Sequence, residues 1–264
     1  MKSLTNYFKF EIEQYPDLLP VVHVTTYKRL CEILEAGYIE ADNICQTIKK
    51  AVTFLSYGGA YYRIIDTKDE IQWPVALMYS PDILKYADDF LPYDSGAISK
   101  KLYGKWNAEL SNFDKYSVPL DSSILLTGGY VKRMFGNNLN YLLGQSVQYD
   151  EKESLPPELM NLLEFYSEPR SEFPEGVDRR RHMLELHFSK KIPISKHILW
   201  VALPDSKKED MKKIKSLIGP DQSPVIHPFY YETPVASTAS EISAEIMVAA
   251  KDFLRKIDFG WDNS

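Results

Sequence analysis

The chain has 264 residues, 44% of them apolar and 13% aromatic, which is enough to fill a sizeable core and excludes wholesale disorder. A formal net charge of -6 argues against broad, non-specific attraction to nucleic acid while leaving room for a local basic patch. Cys31 and Cys45 are the two cysteines, Met1 to Asp17 mixes aromatic with charged residues, and no long apolar run occurs; a reducing, cytoplasmic setting without disulfide framework, secretion signal or membrane span is expected.

No internal repeat, low-complexity tract or Gly/Ser linker divides the chain, so a single domain is expected. Leu18 to Thr25 is β-branched and reads as a strand; Tyr27, Leu30, Ile33 and Leu34 then recur at helical spacing until Gly37 supplies a stop. Apolar runs from Ala51 to Tyr57, ending at Gly58-Gly59, and from Pro74 to Tyr79, before Ser80-Pro-Asp opens a helical turn, predict two more strands. Pro92-Tyr-Asp94-Ser-Gly96 has turn composition, with Asp94 able to bond its own backbone. Ile124 to Leu143 is expected to be mostly helical, with Gly128-Gly129, like Gly58-Gly59, read as turns or bends; Pro156 to Tyr166 reads as a short helix begun on prolines. Arg181 to Phe188 and His197 to Leu203 read as strands. A Lys/Asp-rich helix from about Ser206 to Ile218, a strand from Val225 to Tyr230 and a closing helix from about Ser240, its N-cap, to Ile257 complete the chain. Strands and helices mix without strict alternation, which favours an α+β fold over a doubly wound sheet.

Two strands carry residues of chemical interest. On Arg181 to Phe188, period-two alternation places Leu184, Leu186 and Phe188 on one face and Arg181, Met183, Glu185 and His187 on the other. Alternation alone turns Glu185 and His187 to solvent on a half-exposed strand. On the first strand Val22 and Val24 point one way, and Val21, His23 and Thr25 the other, so His23 and Thr25 share a face. A histidine between valines, taken alone, is a hydrogen-bonded core or rim residue. Arg179-Arg-Arg181 is the best hint of nucleic-acid contact and has an ordinary reading as solvated loop arginines. Walker-type, Gly-x-Gly-x-x-Gly, Cys-x-x-Cys, His-Glu-x-x-His and nucleophile-elbow motifs are missing, so no metal is implied and a Ser-His-Asp hydrolase is disfavoured.

Three stretches taken in order, namely His23-Val-Thr25 with Leu30-Cys-Glu-Ile-Leu-Glu-Ala-Gly37, then Phe54-Leu-Ser-Tyr57-Gly-Gly-Ala-Tyr61-Tyr62-Arg63, then Asp178-Arg179 leading into Met183-Leu-Glu185-Leu, resemble a known family. It is the ADP-ribosyltransferases of the His-Tyr-Glu type, especially the bacterial toxin branch that includes DarT-like enzymes. Where related sequences read Tyr-Gly-Arg-Pro-Ala-Tyr-Arg, this chain has Tyr57-Gly-Gly-Ala-Tyr-Tyr-Arg63, which leaves open whether Tyr57 or Tyr61 stacks on nicotinamide.

The resemblance implies a split, mostly antiparallel sheet with flanking helices, in one catalytic domain over residues 1–264 with a helical insertion around 97–170. It implies NAD as co-substrate without a metal, Glu185 and Arg63 as catalytic residues, and His23, Thr25, Tyr57 and Tyr61 as cofactor-binding residues. His23 and Thr25 would bond the adenosine ribose and neighbouring backbone, and Arg63 a phosphate or the acceptor. A macromolecular acceptor is implied, RNA or DNA ahead of protein, for a toxin or phage-defence effector with an antitoxin as partner. NAD glycohydrolysis, or a catalytically degenerate NAD-binding module of the same fold, are the alternatives. The chemistry gives a reason for the glutamate, because cleavage of the nicotinamide–ribose bond builds positive charge that a fixed carboxylate stabilises.

Overall fold

The computed structural model describes residues 4–8, 18–41, 44–61, 72–121, 123–148, 155–169, 179–194, 197–219, 226–233 and 237–257. Arg63 and Asp178 lie outside these residues.

The strands, in chain order, are β1 (Val21–Thr26), β2 (Tyr38–Ile39), β3 (Ile44–Cys45), β4 (Lys50–Ala51), β5 (Thr53–Tyr57), β6 (Pro74–Tyr79), β7 (Asp89–Leu91), β8 (Val118–Pro119), β9 (Glu185–Phe188), β10 (Ile192–Pro193), β11 (Ile198–Pro204) and β12 (His227–Tyr231). Eight of them form one sheet in the order β12-β11-β6-β1-β5-β9-β7-β8. Its pairs are antiparallel apart from β11 with β12, which run parallel. The helices are α1 (Leu4–Phe8), α2 (Tyr27–Ala36), α3 (Ser95–Ser99), α4 (Trp106–Glu109), α5 (Phe113–Tyr116), α6 (Leu126–Phe135), α7 (Asn138–Leu143), α8 (Pro157–Ser167), α9 (Asp210–Ile218) and α10 (Ala239–Lys256). A large, mostly antiparallel sheet with flanking helices is the α+β architecture expected from the mixed order of elements. No helix among the described residues is long and apolar enough to cross a membrane.

Local chemistry explains where the elements begin and end. The Thr26 side chain accepts from the Arg29 N–H at the start of α2, and Gly37, at φ 77°, ends the helix by donating to the Ile33 carbonyl. β6 is buried along its whole length, as an unbroken apolar run requires at the middle of a covered sheet. Three local expectations are corrected. Thr238, not Ser240, caps α10, because Glu241 returns the bond as a capping box. Gly128 and Gly129 are buried inside α6 rather than in a turn. Arg179–His182 forms a short 3-10 turn, and the strand begins at Glu185; Arg181 reaches instead to the Glu168 carbonyl at 2.6 Å.

The feature that positions the site is an interruption in the sheet. β1 pairs with β6 along its full length, but with β5 only through Val21↔Tyr57 and Val22↔Ser56. Beyond Val22 the two strands part, and the sheet splits between the β12-β11-β6-β1 half and the β5-β9-β7-β8 half. Buried tyrosines hold the closed end. The Tyr57 hydroxyl accepts from the Leu19 N–H at 2.9 Å, while the Tyr141 hydroxyl donates to the Tyr57 carbonyl at 2.9 Å and accepts from the Leu184 N–H at 3.0 Å. These bonds satisfy polar groups that would otherwise be costly to bury.

Candidate functional site

The open end of the split is a cavity of about 280 Å³ lined from one side by His23, Val24, Thr25 and Arg29 and from the other by Val52, Thr53 and Phe54, with Ile39, Glu40 and Ala41 at its margin. That volume lies just below the range for small-molecule sites, roughly 300 to 1,000 Å³, so it can take only part of a dinucleotide. His23 Nδ1 lies 3.2 Å from the Phe54 carbonyl and so bridges the split. Burial pulls the His23 pKa down to about 4 against the opposing effect of that carbonyl, so the ring is neutral near neutral pH. A carbonyl only accepts, so the single ring proton sits on Nδ1 and Nε2 is left as an acceptor. Among the described residues Nε2 has no hydrogen-bond partner although it is buried. A ligand hydroxyl or amine in the cavity would satisfy it.

A second polar group lies in the β5-β9-β7 half. Glu185 is 1% exposed and His187 2% exposed, both on β9, with Asp89 on β7 opposite His187. His187 Nδ1 is 2.6 Å from Asp89 Oδ1, and His187 Nε2 is 3.0 Å from Glu185 Oε1. The Ser95 N–H donates to Glu185 Oε2 at 3.3 Å, and Lys50 Nζ lies 3.5 Å from Asp89 Oδ2. Burial opposes charge on His187, but hydrogen bonds to Asp89 and Glu185 outweigh it and carry the pKa up to about 9. The ring is therefore an imidazolium that donates from both nitrogens. Burial also pushes the Asp89 carboxyl up, yet the bond from His187, with the charges of His187 and Lys50, holds it below the usual range. Glu185, His187 and Asp89 lie in a row with the histidine between the carboxylates, and no cluster converging on a metal position occurs among the described residues.

The expected site residues are thus divided. His23 and Thr25 line the cavity together. Glu185 does not line it: register puts Glu185 beside Ser56 and Ser56 beside Val22, so its backbone is two strand spacings, about 10 Å, from β1. Glu185 also shares its face with Val22 and Ser56, whereas His23 is on the opposite face of β1. The solvent-facing reading of Glu185 and His187 is overturned, because β9 runs between β5 and β7 and all its residues are buried. Tyr57 is a core residue at 0% exposure, with its ring tilted against Tyr141. Tyr61 is 3% exposed, its ring near perpendicular to that of His182, and its hydroxyl has no partner among the described residues. Arg63 falls outside the described residues.

Sequence reasoning passed over four participants. Arg29 enters the cavity from the first turn of α2, and its place just after the His-x-Thr strand was the available signal. Phe54 joins the two regions, its carbonyl facing His23 and its ring perpendicular to that of His187 with centroids 5.3 Å apart. His187 could have been read from its i+2 spacing to Glu185. Asp89 could not, since nothing local marks it and 98 residues separate it from His187.

No family model matches the chain, and no curated protein does. Among solved structures it is similar to Thermus sp. 2.9 DarT in complex with NAD+, at 12% identity and a TM-score of 0.40, covering 82% of this chain and 100% of that one. It is similar at the same identity and TM-score to Thermus sp. 2.9 DarT in complex with ADP-ribosylated ssDNA, covering 82% of this chain and 96% of that one.

Proposed function

We propose that the protein is an NAD-dependent ADP-ribosyltransferase that modifies a macromolecule, with RNA or DNA as the acceptor class. The observation that carries the proposal is the neutral His23, which lines the split between β1 and β5 and whose buried Nε2 has no hydrogen-bond partner among the described residues. A ribose hydroxyl is a donor of the kind this acceptor requires, and Thr25 on the same wall adds a hydroxyl able to donate or accept. Arg29 supplies a planar cation for a phosphate beside that ribose, which would share it with Glu32, 2.8 Å from Nη1, and the Glu40 carbonyl, 3.1 Å from Nη2. NAD supplies a glycosidic C–N bond whose electron pair departs with the nicotinamide nitrogen, leaving positive charge on the ribose for the acceptor's nucleophile to quench as it loses a proton.

Glu185 is assigned to stabilise that charge, an electrostatic role that suits a carboxylate held between the Ser95 amide and His187. Of the two tyrosines, Tyr61 is assigned to the nicotinamide, since the ring and hydroxyl of Tyr57 are both engaged in the core. Arg63 is assigned to a phosphate or the acceptor. The whole chain is read as one catalytic domain in which the helices between β7 and β9 are an insertion, acting as a toxin or phage-defence effector with an antitoxin partner.

A second reading has one observation in its favour. Glu185 is almost fully buried and does not line the cavity, as would suit an NAD-binding module without turnover. Incubation with adenylate-labelled NAD and cellular RNA, DNA and protein separates the readings. Nicotinamide release with label in a nucleic-acid fraction, lost in Glu185→Gln, is the expected result. Binding without release supports the module, free ADP-ribose as the sole product indicates a glycohydrolase, and neither binding nor release sinks the NAD assignment altogether.

A further inference from the structure

Glutamate is a flexible residue on which to build a catalytic centre, because its carboxylate is reached through three rotatable bonds. On β9 those torsions are constrained from two directions. The Ser95 N–H, in the first turn of α3, reaches Oε2, and His187 Nε2 reaches Oε1. The capping of α3 frees the first of these donors, since the Asp94 side chain takes the Ala97 N–H at 3.1 Å and leaves the Ser95 N–H to Glu185. The second donor is fixed in turn by Asp89, which holds the far nitrogen of His187 and is itself approached by Lys50 from β4. The groups facing the imidazole are therefore Glu185 from its own strand, Asp89 from β7 and the uncharged ring of Phe54 from β5, set perpendicular to it, with Lys50 acting through Asp89.

Stability alone does not account for this arrangement. A buried set of ions is commonly matched or exceeded in stability by apolar side chains of similar volume. What a fully bonded polar row adds is orientation, and orientation is what a reacting centre requires.

We infer that His187 is a positioning residue: anchored by Asp89, it fixes the plane of the Glu185 carboxylate and presents that carboxylate in a single orientation. His187 acts in this way only if Glu185 carries the reaction proposed above, so the test reads the bridge and the reaction separately. The bridge is read by titrating nitrogen-labelled histidine in the intact protein by NMR. His187 should be protonated at both ring nitrogens near neutral pH, with a midpoint about 9, and both Glu185→Gln and Asp89→Asn should lower that midpoint. The reaction is read by steady-state release of nicotinamide. His187→Gln and Asp89→Asn should each lower kcat about 100-fold while the KM for NAD stays within roughly a factor of three, as expected when a reacting group is misplaced but binding is kept.

A wild-type ring that is neutral near neutral pH, or a midpoint that neither substitution moves, overturns the bridge. Unchanged kcat in the folded variants overturns the positioning role. Should His187→Gln fail to fold, Asp89→Asn, which keeps the side-chain shape but removes the charge that holds His187 as a double donor, decides the same question. A wild type that binds NAD but releases no nicotinamide overturns the reaction and with it the positioning role, while the nitrogen titration still decides the bridge.

Discussion

His23 and His187 stand on strands separated only by β5, both at less than a tenth of their full exposure, and they end in opposite charge states. What each ring meets explains the difference. His23 faces a neutral backbone carbonyl, which only partly compensates a buried cation for lost hydration, and burial, helped by the Arg29 charge, takes its pKa to about 4. His187 meets a carboxylate at each nitrogen, and the same penalty is outweighed until its pKa reaches about 9. Burial therefore sets the sign of the shift only where the partners are uncharged. One histidine becomes an acceptor open to a ligand, the other a clamp closed on the protein's own carboxylates. Phe54 stands between them, its carbonyl toward one and its ring toward the other.

The strongest way to break this comparison is to remove the clamp. His187→Ala leaves Glu185 and Asp89 buried without their cation and should cost about 3 to 5 kcal/mol of unfolding free energy near neutral pH, read by urea denaturation. A loss below about 1 kcal/mol would mean that the row is solvated and the contrast unreal. Next in size, Glu185→Gln should reduce nicotinamide release by roughly 100- to 1,000-fold while NAD still binds, which locates the chemistry in the charged row and recognition in the cleft.

The pH dependence of stability sharpens the contrast further. The folded pKa of His23 lies below the ordinary histidine value of 6.5, so its contribution is present above that value and is lost as pH falls toward about 4. For His187 the folded value is the higher one, so its contribution is complete below 6.5 and is lost as pH rises through about 9. Denaturation across pH should show the His23 share of the acid-side loss, about 3 kcal/mol between pH 6.5 and 4, disappearing in His23→Gln, while the loss from Asp89 at lower pH and the alkaline loss persist. The smallest effect concerns binding. In the Glu185→Gln background, calorimetry should show His23→Ala raising the Kd for NAD about tenfold, the worth of one hydrogen bond, and His187→Gln leaving it unchanged. Equal effects of the two substitutions would merge the regions that the structure separates.

Much of the frame was legible without coordinates because it depends on near neighbours in the chain. The apolar run Pro74–Tyr79 is a fully buried strand, the stripe of Ile242, Ile246, Ala249, Ala250, Phe253 and Leu254 faces the core from α10 with Ala249 only partly buried, and Gly37 ends α2 in the left-handed conformation. The shared face of His23 and Thr25 was legible for the same reason, since a strand alternates with period two. The reading of Glu185 and His187 as solvent-facing failed because alternation describes one strand and says nothing of what packs against it. Bonds from Ser95 and Asp89, each at least 90 residues away, turned an outward face into an interior one. The glycines of α6 failed likewise, because packing overrode their low helix propensity.

By itself, then, the sequence determined the alternation of strands, the end of α2 at Gly37, and the candidacy of His23 and Glu185. Tertiary structure alone decided that β1 and β5 part beyond Val22, that His23 opens onto the gap while Glu185 does not, and that the two histidines carry different charge. Caps and periodicity act over a few residues of chain, whereas a cavity and a pKa belong to surroundings assembled from strands distant in sequence.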